Sequence, residues 1–110
     1  MKRIAITLGV ILAVSSYNKA QNVGINPTGN LPNNSAGLDV DFTNKGVLIP
    51  RVALTARNSN APIGAGIANS LLVYNTATAG TFPNNVYPGY YYWDGSAWQR
   101  LTNGIANGWD

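Results

Sequence analysis

Cysteine, histidine and glutamate are absent from these 110 residues, and the only carboxylate side chains are four aspartates. Without cysteine there is no disulfide, no thiol nucleophile and no thiol to carry a lipid anchor. Without histidine and glutamate the usual general base is gone, and so are most metal ligands. Long hydrophobic runs are also scarce. The longest, Ile4 to Val14, spans 11 residues, against the roughly 20 that a membrane-crossing helix needs. Charge is sparse, and the formal +3 comes from Lys2, Arg3 and Lys19 at the start of the chain. Beyond residue 20, Lys45, Arg51, Arg57 and Arg100 balance Asp39, Asp41, Asp94 and Asp110. That balance gives no argument for nucleic-acid binding, which depends on a clustered basic surface, and no nucleic-acid partner is expected.

The first residues that are present read as an export signal. Met1-Lys2-Arg3 is basic, Ile4 to Val14 is apolar, and Ser15 to Ala20 is small and polar. That order is the pattern of a secretory signal peptide over residues 1–20. Cleavage is expected after Ala20. Asn18 is not the small residue usual three places before a cut, which leaves Ser16 as the alternative site. The mature chain, 21–110, is then one β-rich module in a secreted or cell-surface protein. A chain of this size without staples buries a modest share of its surface, so self-association is an economical way to complete its core.

After residue 20 the chain shows no sustained helical period. Short apolar runs alternate with Gly, Pro and Asn, which predicts an all-β fold of short strands and hairpins with long polar loops. Val23-Gly24-Ile25 is the first extended piece. Leu38-Asp39-Val40-Asp41-Phe42 alternates, so a strand there puts Leu38, Val40 and Phe42 on one face. Val47 to Val52 is the next extended run, confined by Pro50 to an edge or to a break at that point. Thr55 to Asn58 predicts one short helical turn capped by Thr55. Leu71 to Asn75 is a compact strand, and Thr76 to Pro88 is a polar connection. The C-terminal segment 87–101 carries the strongest local signal, with Asp94-Gly95 between aromatic runs predicting a hairpin. A four-residue turn sets Trp93 opposite Trp98, and a two-residue turn sets it opposite Ser96. Aromatic pairing across the strands favours the first.

Tyr90, Tyr91, Tyr92, Trp93 and Trp98 form the one cluster with binding potential. Strand alternation sends Tyr91 and Trp93 to one face and Tyr90 and Tyr92 to the other. Such rings stack on sugar faces, but they also fill cores and are enriched at subunit interfaces. The second use is preferred for a small, charge-poor chain. Asp39 and Asp41 share a strand face and could contribute to a hard-cation site. No calcium-loop spacing accompanies them, so a solvated polar face is the preferred reading and no metal is assigned. Gly64-Ala65-Gly66 lacks the Lys-Ser/Thr of a phosphate loop. No cofactor and no catalytic residue are expected. Arg51, Arg57 and Arg100 are scattered, as expected of residues that pair with aspartates or hold carbonyl groups.

In order along the chain, Asn22-Val23-Gly24-Ile25-Asn26, Gly37-Leu38-Asp39-Val40, Lys45 to Val52, Leu54-Thr55-Ala56-Arg57, Leu71 to Thr76 and Tyr90 to Trp98 resemble a module of secreted and cell-surface, phage-tail-fibre-like proteins of Bacteroidetes. The connection before the Tyr run is longer than in that pattern. The resemblance implies a fibrous, trimeric, surface-exposed architecture without enzymatic activity. The expected function is therefore structural: a subunit or module of a surface fibre or adhesive appendage, assembled as a trimer or polymer of this chain. A carbohydrate-binding adhesin module that uses the Tyr/Trp hairpin is the alternative.

Overall fold

A computed structural model describes residues 21–102, which form six strands and no helix. The expected signal segment 1–20 lies outside the described residues. The chain divides after Gly46 into two compact units.

In the first unit, β1 (Val23–Ile25) pairs in parallel with β2 (Leu38–Val40), and Val23, Gly24 and Ile25 stand beside Leu38, Asp39 and Val40. The chain turns out of β1 at Asn26. Its Oδ1 accepts the N–H groups of Thr28, Gly29 and Asn30, while its Nδ2 donates to the Asn30 carbonyl. One short polar side chain thus satisfies a turn that would otherwise leave three donors to solvent. The returning loop lies over the Gly24 and Asp39 side of the pair. A Cβ on Gly24 would stand 3.1 Å from Pro32 Cδ, so glycine is what lets the loop approach so closely. Asp39 Oδ2 accepts the Asn33 N–H at 2.9 Å, which spends that carboxylate on the loop.

β2 is shorter than the alternation predicts. Asp41 N–H still donates to the Ile25 carbonyl, but Asn26 has already turned the partner strand away, so Phe42 has nothing to pair with. Phe42 lies outside the strand with the Lys45 ammonium 5.1 Å from its ring centre. Asp41 likewise follows the strand instead of sharing a strand face with Asp39. No residue from 21 to 46 is buried.

The second unit is a four-stranded sheet in the order β3 (Arg51–Val52), β4 (Leu72–Asn75), β5 (Gly89–Trp93), β6 (Trp98–Arg100). β3 runs parallel to β4, and the other neighbours are antiparallel. β3 begins directly after Pro50 and lies at the edge, where the missing N–H disrupts least. The expected helical turn at Thr55 to Asn58 is a β-turn closed by the Ser59 N–H on the Ala56 carbonyl. Tertiary bonds claim the backbone groups that a helix would use. The Arg57 N–H donates to the Asn84 carbonyl, and the Arg57 carbonyl accepts the Trp98 N–H. Arg57 Nε also donates to the Trp98 carbonyl, so this one residue occupies both outward-facing groups of Trp98 on the β6 edge. The connection before β5 is less irregular than its composition suggests, because Ala79 and Val86 bridge in antiparallel fashion across it.

Leu54, Val73, Val86, Tyr91, Trp93 and Trp98 make the core on one side of this sheet. Asn75 is fully buried among them. Its Oδ1 accepts the N–H groups of Leu54 and Ala77, and its Nδ2 donates to the carbonyls of Ala77 and Tyr87, all at 2.8–3.0 Å. All four positions around the amide are filled, as a buried polar side chain requires.

Candidate functional site

Alternation along β5 splits the aromatic run between two faces. Tyr91 and Trp93 point into the core with Trp98, which faces Trp93 across the hairpin. The four-residue turn is therefore the one adopted. The two indoles meet edge to face, with centroids 5.1 Å apart. Each buried polar tip has a partner: Trp98 Nε1 donates to the Ser59 carbonyl at 2.9 Å, and the Tyr91 hydroxyl accepts the Tyr87 N–H.

The turn between these strands is built by Asp94. Its Oδ1 accepts the N–H groups of Ser96 and Ala97 and the Ser96 hydroxyl, and its Oδ2 accepts the Gln99 amide. The Ser96 and Ala97 N–H groups, with help from Gln99, hold its carboxyl far below the ordinary value of 3.8. Gly95 has φ +106°, and a Cβ there would lie 2.7 Å from Asn69 Oδ1. The Asp-Gly pair thus sets the hairpin through both charge and backbone freedom.

On the opposite face of the sheet, Tyr90 and Tyr92 stand beside Tyr74 and Leu72. Tyr74 and Tyr90 meet edge to face at 5.0 Å and an interplanar angle of 78°. Together with Leu48, Ile49 and Arg51 they line a groove of about 120 Å³. Tyr90 is 43 % exposed, Leu72 41 % and Leu48 80 %. Within the described residues of this unit, an apolar, aromatic sheet face is therefore left uncovered. Arg51 is the one charged residue in the groove lining.

Of the five residues singled out from sequence, Tyr91, Trp93 and Trp98 serve the core, and Tyr90 and Tyr92 face outward. Tyr90 and Tyr74 stand at 78° to each other and so do not form a coplanar double platform, and the indoles of Trp93 and Trp98 are inside. Leu72, Tyr74 and Leu48 complete the outer face. The same period of two that sorted the tyrosines also sorts β4, with Val73 and Asn75 inward and Leu72 and Tyr74 outward. Arg57 and Arg100 hold carbonyl oxygens, those of Trp98 and Pro88 respectively. Among the described residues no three of His, Cys, Asp or Glu gather in one place.

The family model for a phage tail-like trimerisation region matches residues 24–109. The chain belongs to this family. No curated protein and no solved structure matches it. The outer face is rich in Tyr, with Arg51 beside Tyr74 in its groove.

Proposed function

We propose that this trimerisation region is a non-catalytic assembly module of a secreted or cell-surface fibre or adhesive appendage, and that three copies associate through the outer face of the four-stranded sheet. The observation that carries this reading is the family match across residues 24–109. Tyr90, Tyr92, Tyr74, Leu72 and Leu48 supply the contact. Burying their exposed apolar area releases about 25 cal/mol per Å². The core indoles fix the hairpin that presents Tyr90 and Tyr92. The basic, apolar and small-polar order of residues 1–20 supports export.

The test is the solution mass of Tyr90→Asp and Leu72→Asp variants, measured by light scattering over a range of concentrations. An unpaired carboxylate buried in an apolar contact costs several kcal/mol. Each variant should shift from three chains to one while keeping the near-ultraviolet circular dichroism of the Trp93–Trp98 pair. Folded variants that retain the mass of three chains would remove this face from the assembly.

A further inference from the structure

The β1–β2 pair has two unlike faces. Its register sets Val23 beside Leu38 and Ile25 beside Val40, so these four apolar side chains share one face. Gly24 and Asp39 point the other way, under the loop that carries Pro32 and Asn33. Within this unit the loop thus covers one face, and the described residues leave the other open. Val23 is 47 % exposed, Ile25 48 % and Leu38 58 %.

A parallel sheet is normally covered on both faces, and two strands alone are marginal in water. Among the described residues of this unit the pair buries no side chain, so its apolar face is free to take a covering surface. We propose that this face packs around the threefold axis of the trimer, against the same face of two further copies. The inference rests on the trimeric reading above and adds a location to it.

Three observations select further copies of this chain as the occupant. Ile25, Leu38 and Val40 lie inside the matched trimerisation region, which begins at Gly24. A threefold rotation preserves strand direction along its axis, so three parallel pairs meet with all six strands running the same way. The charged residue of these strands, Asp39, lies on the opposite face with its carboxylate bonded to the Asn33 N–H. Three copies therefore bring apolar side chains together at the axis without juxtaposing like charges.

Because the chain contains no cysteine, an introduced thiol is unique. Ile25→Cys and Leu38→Cys variants of the full chain, treated with a short bismaleimide, should yield covalent dimers, because a two-armed reagent joins two chains around a threefold axis and leaves the third free. Leu31→Cys is the comparison, since Leu31 lies in the covering loop and is 91 % exposed. Thiols held together in one assembly react at millimolar effective concentration, so the two strand variants should cross-link at least about tenfold more than Leu31→Cys. Light scattering before treatment separates the possible failures. A mass of three chains with both strand variants uncross-linked would overturn the axial placement alone. A mass of one chain at every concentration would overturn the trimer and the placement with it.

Discussion

At the scale of single residues, Asn75 carries the most structure for its size. Its amide joins the start of the segment after β3, the end of β4 and the approach to β5. Replacing it with alanine strands two N–H groups and two carbonyls in a buried place, and each buried group left unpaired costs about 1–3 kcal/mol. We expect Asn75→Ala to lose more than about 3 kcal/mol in urea unfolding at fixed chain concentration. Asn75→Asp should fare no better near neutral pH, because it keeps the two acceptor bonds but sets a carboxylate against the carbonyls of Ala77 and Tyr87. A loss below about 1 kcal/mol for the alanine variant would show that water or rearrangement satisfies the site. The sequence marks Leu71 to Asn75 as a strand, and the structure puts Asn75 on its inward face with Val73. Its partners come from three separate segments, however, and no local pattern announces such a convergence.

At the scale of elements, the β5–β6 hairpin was legible in the sequence because all its determinants are local. Asp94-Gly95 sets the turn, alternation sorts the tyrosines, and Trp93 opposite Trp98 sets the register. The parallel pairings of β1 with β2 and β3 with β4 were not legible. They join segments across long loops, and composition distinguishes a strand from a loop far better than it chooses the strand's partner. The missing helical turn at Thr55 has the same origin, since the competing bonds come from Asn84 and Trp98, far along the chain. The hairpin turn also carries a pH signature. Asp94 is held by N–H donors that favour its ionised form. Its folded-state pKa therefore lies below the unfolded one. Its contribution to stability is complete above the ordinary carboxylate range and is lost as pH falls through the depressed folded value. Carboxyl-carbon NMR of the folded chain should find Asp94 still ionised at about pH 3. A titration midpoint near the ordinary value of 3.8 would mean that the turn bonds are not held in solution.

At the scale of the whole molecule, each unit has an apolar face that its own described residues leave without a partner: the outer face of the four-stranded sheet and the Val23, Ile25, Leu38 and Val40 face of the β1–β2 pair. A protein completed by its neighbours gains stability by mass action. Its thermal midpoint should therefore rise with chain concentration, by roughly 4–8 °C for each kcal/mol of association gained. A midpoint that stays constant over a hundredfold dilution would identify a self-sufficient monomer. The number of copies was not readable from composition or spacing. It came first from resemblance and then from the family match, because a single chain records which surface is unfinished and not how many copies finish it. The Arg57 contact bears on that count. With both outward groups of Trp98 occupied and β3 only two residues long at the other side, the sheet offers a stray strand little to template on. Assembly is left to faces that close around an axis, and a closed ring has a last member. Chains of this design stop at a finite number instead of seeding open-ended aggregates.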